Sequence, residues 1–559
     1  MTCAFKKSIC IEFDTYPIPI FGPNASKGVR YLAIYCCDTV PTMQSNKVSS
    51  DSTQLDHPVF FVSLTLLLSV TGLLLLNPDE SLAKLQGVHH FMTHDLGWLF
   101  LAFVFVGLIW LSWLAVSKHG DLVLGDPDEG PTYSTISWFG MLFCAGIGSN
   151  LLYFGTIEWT GYYLNPPPIS GVEAGTPQAA DWAGAYSFFH WGISAWATYA
   201  IATIPIAYML HIKKSSTLRV STACEGVLGK RSQGPLGQLI DILFIFGLVG
   251  GVATSLGIGI PMISAVASDL FGVTRGLGLD SVILVGLTTV FSLSVGAGLD
   301  KGIKRLSDLN VALAIILLGF ILFSGPTSFI INQGFDSLAL MFQNFIEMSL
   351  RTDAGAEVAF AQDNTIFFWA WWMSWAPFMG LFVARISGGR TIRQVILGVV
   401  GGGSLACWVG FSILGHTTMH LSKTGHEGFS ALIERARAGE KFDGAQAVVE
   451  LLHSLPLSLA ISGVFFVLTF IFVATSLDSA ALALSSAASK ALPVDGEPPR
   501  WHRLLWAFVL GGTALSLMYL GGLQVLQAAS VVVGLPLVAV MGTMILSLMR
   551  HLKQNPPPS

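Results

Sequence analysis

Residues 369–380 read Trp369-Ala-Trp-Trp-Met-Ser-Trp-Ala-Pro-Phe-Met-Gly380, an apolar stretch with four tryptophans in its first seven residues. At about 100° per residue, Trp371, Trp372 and Trp375 fall within one arc of about 100° on a helix. Pro377 is expected to break that helix one turn later, because proline has no backbone N–H. The stretch therefore predicts an apolar helix with one aromatic face.

Two interpretations of that aromatic face are open. Tryptophan is the best cation–π partner, and quaternary ammonium ions are common ligands of aromatic cages. Tryptophans near the ends of membrane helices also anchor those helices at the lipid interface. A cluster of four beside a helix breaker favours the cage. Within the cluster, Trp369 is interpreted as a packing residue.

The composition outside this stretch is that of a membrane protein. The 559 residues are 52% hydrophobic and 11% charged, whereas soluble domains contain about 25% charged residues. The formal net charge is −5, and basic residues do not cluster with aromatic ones as on a nucleic-acid-binding surface. The seven cysteines show neither a metal-binding nor a disulfide spacing. We therefore expect no nucleic-acid partner, no structural zinc and no cofactor.

Apolar runs divide the chain into predicted spans, each needing about 20 residues to cross a bilayer. Lys and Arg concentrate in the loops after spans 4, 6, 8 and 10 and in the tail. Because cytoplasmic loops are rich in these residues, both termini are predicted to be cytoplasmic. The twelve predicted spans are 58–77, 96–116, 135–157, 183–210, 237–268, 281–298, 306–324, 366–387, 391–416, 458–488, 502–520 and 524–549.

The segments outside the spans give three further predictions. Residues 1–57 are polar, without helical period or signal peptide, and are predicted to be a disordered cytoplasmic extension, with Met43 as a possible true start. Residues 550–559 are predicted to be a short cytoplasmic tail. Residues 334–350 carry a broad apolar stripe and are predicted to form an amphipathic helix on the outer face.

Span 3 is predicted to be broken. It contains Gly146 and Gly148, and glycine costs roughly 1 kcal/mol against alanine inside a helix. Unwound backbone persists in a membrane where it lines a cavity or is packed in protein, and broken helices hold substrates and ions in secondary transporters. Close helix packing by small residues is the alternative interpretation. The polar pair Ser149 and Asn150 favours the cavity.

Span 4 supplies a second aromatic set. Trp191, Trp196 and Tyr199 cover an arc of about 140° on a helical wheel. His190 precedes them, and we interpret it as a hydrogen-bonded structural histidine rather than a proton relay.

Span 10 carries two adjacent hydroxyls, Thr475 and Ser476. With backbone carbonyls they suit a hard cation such as Na⁺, although such hydroxyls also bond back to their own helix. Asp478 is expected to face a partner or water. No nucleophile–base set and no ring of pore-lining charges is recognisable, which argues against an enzyme and a channel.

In this order, these segments resemble the betaine/choline/carnitine transporter family over about residues 58–549. The most specific stretch is the tryptophan run with Ala384-Arg-Ile-Ser-Gly-Gly-Arg-Thr391; Gly140–Gly148, Gly251–Gly257 and Thr475–Ala480 support it. The resemblance implies an all-α polytopic transporter domain at 58–549 with twelve transmembrane helices. Two leading helices precede a LeuT-like core of two inverted five-helix repeats, spans 3–7 and 8–12, with a broken third helix. It also implies a homotrimer that uses the amphipathic helix.

The resemblance also implies the site residues. The aromatic box would consist of Trp191, Trp196, Tyr199 and Trp372, with Trp371 and Trp375 along the substrate path. Substrate contacts from span 3 would come from Gly146, Gly148, Ser149 and Asn150. One Na⁺ would be held by the backbone carbonyls of Cys144 and Ile147 and the hydroxyls of Thr475 and Ser476.

Departures from the family pattern refine these expectations. Leu248 and Val252 stand where some members place the threonines of a second sodium site, so that site is not expected although Phe378 matches. Asn150 offers no charge to a bare cation but can bond a carboxylate or hydroxyl. The expected function is uptake of glycine betaine or carnitine with Na⁺ across the cell (inner) membrane. A proton-coupled choline carrier or a substrate/product exchanger is the alternative.

Overall fold

The computed structural model describes residues 54–146, 148–215, 217, 219–297, 300–353, 358–490, 498–521 and 523–555. For residues 143–146 and 300–308, among others, only the backbone is described. The predicted extension up to residue 53, including Met43, and the end of the predicted tail lie outside the described residues.

The described chain is almost entirely helical, as its apolar runs require in a bilayer that cannot hydrogen-bond to backbone groups. The first half contains α1 (His57–Leu76), α2 (Pro78–His90), α3 (Gly97–Val116), α4 (Thr135–Gly146), α5 (Gly148–Leu164), α6 (Pro177–Trp191), α7 (Ile193–Ala207), α8 (Glu225–Leu228), α9 (Pro235–Phe271), α10 (Leu277–Ala297) and α11 (Asp300–Ser324).

The second half continues in the same way, with π-helical turns at Ala361–Thr365 and Gly398–Gly402. Two short strands, β1 (Gln54–Leu55) and β2 (Ser489–Lys490), pair antiparallel. The helices are α12 (Thr327–Leu350), α13 (Ile366–Ile386), α14 (Ile392–Leu397), α15 (Gly403–Thr424), α16 (Glu427–Arg437), α17 (Gly444–His453), α18 (Ser458–Ala487), α19 (Arg500–Gly521) and α20 (Leu523–Gln554).

These helices confirm an all-α, multi-pass membrane protein. Within the described residues, nine helical segments are long and apolar enough to cross a membrane, or up to ten if the bent pair α11–α12 counts as one. Each of the twelve predicted spans overlaps a helix. The third is divided, and the sixth and seventh are apolar over shorter lengths, Leu277–Leu293 and Leu309–Ser324. The count of twelve therefore stays a prediction.

Helix pairing follows the two predicted repeats. α7 of span 4 packs against α13 of span 8, and α15 of span 9 packs against α5 of span 3. The third helix of each predicted repeat, α9 and α18, pack against each other. Exchanging the two halves interconverts the first two pairings and leaves the third unchanged, as expected for two five-helix repeats.

The amphipathic helix predicted at 334–350 is present as α12, which begins earlier, at Thr327, and bends 106° away from the end of α11. Phe335, Phe342 and Ile346 on this helix are exposed. They lie on one side because they are spaced near multiples of 3.6 residues. The helix thus presents an apolar stripe that the rest of the described chain leaves uncovered.

Several boundaries and breaks differ from the predictions. α15 continues past residue 416 to Thr424, and α20 continues past residue 549 to Gln554, into the predicted tail. Span 4 is divided at Gly192, where a Cβ atom would lie 2.5 Å from the Phe188 carbonyl oxygen and 2.7 Å from Trp408 Nε1. Span 8 is not broken at Pro377, because α13 continues through it to Ile386. Span 3 extends beyond residue 157 to Leu164, since its last turns are buried in protein and need not be apolar to face lipid.

Asp478 has the partner that a buried carboxylate requires. Its Oδ1 accepts a hydrogen bond from Arg503 Nη2 at 2.9 Å, and both side chains are buried. The pair links α18 to α19, and each charge compensates the other in the protein interior.

Candidate substrate and ion site

Aromatic rings from α6, α7 and α13 meet near the middle of α13. The Trp372 ring centroid lies 4.8 Å from that of Tyr199, 5.4 Å from that of Trp191 and 6.2 Å from that of Trp196. All four side chains are buried. The break at Gly192 turns α6 into α7 between Trp191 and Trp196, so both residues reach Trp372. The structure therefore brings together the four predicted box residues.

The rings surround a small cavity. Its volume of about 10 Å³ is close to that needed by a single water molecule. A trimethylammonium group is larger, so the rings must separate to admit one. Six described residues line the cavity: Asn150, Trp191, Tyr199, Trp371, Trp372 and Trp375.

Three polar atoms of these lining residues have no hydrogen-bond partner although they are buried. They are the donors Trp372 Nε1 and Trp375 Nε1 and the acceptor Asn150 Oδ1. Each unsatisfied buried group costs about 1–3 kcal/mol. The neighbouring groups are paired, since Trp371 Nε1 donates to the Gly251 carbonyl at 3.3 Å and Asn150 Nδ2 to Ser255 Oγ at 3.1 Å. The residues that line the cavity thus supply aromatic rings together with two unpaired donors and one unpaired acceptor.

Two predicted tryptophans lie away from the cavity surface. Trp196 stands behind Tyr199 and Trp372, packed on Gly403, and donates to Cys407 Sγ at 3.4 Å. Trp369 packs against Phe189 at a centroid distance of 5.4 Å, consistent with its interpretation as a packing residue.

The predicted break in span 3 is present. α4 ends at Gly146 and α5 begins at Gly148, whose φ of +44° lies in the left-handed region that favours glycine. Asn150 from the first turn of α5 reaches the cavity. Ser149 instead faces α9, where a Cβ atom on Gly259 would lie 3.5 Å from its Oγ. The structure therefore separates Ser149 from the cavity lining.

One of the predicted ion-binding hydroxyls, Ser476, lies where α5 meets α18. A Cβ atom on Gly148 would lie 3.5 Å from Ser476 Oγ. Thr475 Oγ1 donates to the Ile471 carbonyl of its own helix at 2.9 Å, which leaves its lone pairs available as ligands. Ile147 and the side chain of Cys144 lie outside what the structure describes.

The alternative second sodium site lacks oxygen ligands. Leu248 and Val252 are fully buried apolar residues of α9, and Phe378 on α13 is also buried. Aliphatic side chains cannot coordinate a hard cation.

A carboxylate that the sequence analysis did not single out lies against the box. Glu158 on α5 accepts hydrogen bonds from Trp191 Nε1 and, at 2.8 Å, from the Tyr162 hydroxyl. Tyr162 in turn lies 2.7 Å from His190 Nδ1, and His190 Nε2 lies 3.0 Å from Thr365 Oγ1. A single acid just past an apolar run gave no signal, but its position four residues before Tyr162 places both on one helix face.

Known proteins resemble this chain over most of its length. Residues 58–557 match the sequence profile of the betaine/carnitine/choline family transporter. The chain is 34% identical over 498 residues to a glycine betaine transporter of Acinetobacter baylyi, covering 89% of this chain and 73% of that one. It is 35% identical to a glycine betaine transporter of Bacillus subtilis, covering 89% and 94%.

A carnitine transporter of Acinetobacter baumannii is 33% identical over 461 residues, covering 81% of each chain. These are transporters and not enzymes. The profile match extends over most of the described helices and includes every predicted box residue. This chain is thus a member of the betaine/carnitine/choline transporter family.

Proposed function

We propose that the protein is a secondary transporter that carries a small quaternary-ammonium zwitterion, glycine betaine or carnitine, across the cell membrane together with Na⁺. The observation that carries the proposal is the cavity among α5, α6, α7 and α13, where the rings of Trp191 and Tyr199 contact that of Trp372. A desolvated cation–π contact contributes about 2 kcal/mol or more. The relatives named as glycine betaine and carnitine transporters support the same class of substrate.

The polar atoms of the cavity favour a zwitterion over choline. The unpaired indole N–H groups of Trp372 and Trp375 match a carboxylate, which choline lacks. Asn150 is a neutral amide and offers no charge to a bare cation. Its unpaired Oδ1 accepts from a hydroxyl such as that of carnitine; with the amide rotated, Nδ2 donates to a carboxylate instead. Asn150 is therefore the residue expected to discriminate glycine betaine from carnitine.

The break in span 3 supports the sodium part of the proposal. Ser476 faces Gly148, and Thr475 keeps its oxygen lone pairs available beside it. Hydroxyl oxygens and unwound backbone carbonyls are suitable ligands for Na⁺. An ion that bridges α5 and α18 fixes Asn150 near the box. Ion and substrate then raise each other's affinity by the same factor.

Replacing Ser476 by alanine removes one proposed ligand. We expect the Na⁺ concentration for half-maximal uptake to rise about tenfold, the effect of losing about 1.4 kcal/mol from a bond to a charged group. The measurement is uptake of radiolabelled glycine betaine into proteoliposomes over a range of external Na⁺ concentrations. Ser486→Ala is the matched control, because its hydroxyl lies on the same helix and donates to the Leu482 carbonyl of that helix.

Replacing external Na⁺ by K⁺ in the same assay tests coupling directly. Loss of uptake supports symport. Undiminished uptake would remove the sodium proposal and favour the proton-coupled choline carrier or the exchanger. These two are then distinguished by whether uptake requires a proton gradient or substrate preloaded inside the proteoliposomes.

We propose that protomers associate through α12. Its exposed residues Phe335, Phe342 and Ile346 form a stripe suited to contact with a neighbouring protomer, in agreement with a homotrimer in the cell membrane. The cytoplasmic position of both termini remains part of the proposal and rests on the basic loops.

A further inference from the structure

Glu158 differs from most of the other buried acids of the protein in its partners. Asp56 and Asp241 share Arg219, and Asp478 pairs with Arg503. Among the described residues, no Lys or Arg lies within ion-pair distance of Glu158; its one basic neighbour is His190, whose Nδ1 is 3.3 Å away. A buried carboxylate without a cation is costly, because transferring an unpaired charge from water into the protein interior is unfavourable.

The hydrogen bonds of Glu158 lead to the cavity. Its Oε2 accepts from the indole N–H of Trp191, the same ring that lines the cavity beside Trp372. An N–H group bonded to a carboxylate is polarised, and charge moves onto the ring. Because the face of an indole attracts cations through its negative potential, this bond strengthens the face that Trp191 presents.

The other oxygen is the end of a chain of hydrogen bonds with two consistent directions. In the first, Thr365 donates to His190 Nε2, His190 Nδ1–H to the Tyr162 oxygen, and Tyr162 to Glu158 Oε1. In the second, protonated Glu158 donates to the Tyr162 oxygen, Tyr162 donates to His190 Nδ1, and His190 Nε2–H donates to Thr365 Oγ1. Only the first leaves Glu158 ionised. A cation on the Trp191 ring favours the ionised carboxylate, and with it the first direction.

We infer that Glu158 supplies the negative charge that complements the ammonium group of the substrate, and that it acts through Trp191 as a positioning residue without touching the substrate. The inference rests on the proposed function, since it requires a cationic ligand in the box. It adds a determinant for the positive charge of the ligand, which the shape of a trimethyl group does not provide.

The test compares two ligands of equal shape. Glycine betaine carries (CH₃)₃N⁺, and 3,3-dimethylbutanoate carries (CH₃)₃C on the same acetate. Affinities are measured as inhibition constants against radiolabelled glycine betaine uptake by wild type and Glu158→Gln. We expect Glu158→Gln to lower the affinity for glycine betaine about tenfold. The affinity for 3,3-dimethylbutanoate should stay unchanged or rise. Glu173→Gln, an exposed acid in the α5–α6 connection, is the matched control.

A purely structural role predicts a different result. If Glu158 only holds Trp191 in place, the amide oxygen of Gln keeps the hydrogen bond from Trp191 Nε1 and glycine betaine affinity stays unchanged. That result would overturn the inference, as would an equal loss for both ligands. The route through the ring is tested by Trp191→Phe, which keeps an aromatic face but removes the N–H. In that background, Glu158→Gln should have little further effect on glycine betaine. A full additional tenfold loss would contradict action through Trp191.

Failure of the proposed function is distinguishable from failure of the inference. A wild-type protein that neither binds nor accumulates any quaternary-ammonium compound rejects the proposed function. A wild type that binds glycine betaine, combined with equal losses for both ligands in Glu158→Gln, rejects the inference alone.

Discussion

Trp372→Leu is expected to weaken glycine betaine binding by about 30-fold or more, the equivalent of losing a desolvated cation–π contact of about 2 kcal/mol. Trp372 contacts each of the other box rings; its ring centroid lies 4.8 Å from that of Tyr199 and 5.4 Å from that of Trp191. Leucine keeps an apolar side chain but has no π face. The measurement is quenching of intrinsic fluorescence or isothermal titration with purified protein in detergent.

The matched control is Trp506→Leu. Trp506 is fully buried in α19, where its Nε1 donates to His502 Nε2 at 3.0 Å. Both substitutions remove a buried indole and both are expected to lower the melting temperature, because truncating a core aromatic leaves a cavity. Only Trp372→Leu should change affinity. Unchanged affinity in a folded Trp372→Leu protein would remove the cation–π assignment.

Gly403→Ala is expected to reduce glycine betaine affinity by about 10- to 100-fold, although residue 403 does not line the cavity. A Cβ atom at this position would lie 2.1 Å from the indole of Trp196, which is fully buried and cannot move into solvent. Overpacking of this kind costs about 1–3 kcal/mol. Because Trp196 packs against Tyr199 and Trp372, its displacement distorts the box.

The neighbouring glycines provide the control for this prediction. A Cβ atom on Gly401 would meet nothing within 4 Å. Gly401→Ala should therefore leave affinity unchanged and slightly raise stability, because alanine favours the helix by roughly 1 kcal/mol. Binding and thermal melting are measured on both variants. Equal affinities of the two variants would show that Trp196 does not support the box.

Much of the membrane architecture could be predicted because apolar runs of fixed length leave few alternatives in a bilayer. The glycine pair around residue 147 predicted the division of span 3, and one-sided spacing predicted that Trp371, Trp372 and Trp375 would face one cavity. In each case the signal is local: a helix breaker or a period lies within a single segment.

Features that depend on contacts between distant segments were not predictable. At the break at Gly192, the Phe188 carbonyl accepts a hydrogen bond from Nε1 of Trp408, more than two hundred residues later. The helix at Pro377 continues because its surroundings are buried, which overrides the local tendency of proline. Glu158 gave no pattern of its own, and its role emerges only when Tyr162 and Trp191 are seen to donate to it.

A structure of the protein with glycine betaine bound, determined by cryo-electron microscopy or crystallography, tests the central claim most directly. We expect the trimethylammonium group within about 6 Å of the ring centroids of Trp191, Tyr199 and Trp372. Its carboxylate should lie within hydrogen-bond distance of Trp375 Nε1 or Asn150. A ligand seated instead in the larger cavity between α2 and α20, beside Asp363, with the aromatic cavity closed, would contradict the account.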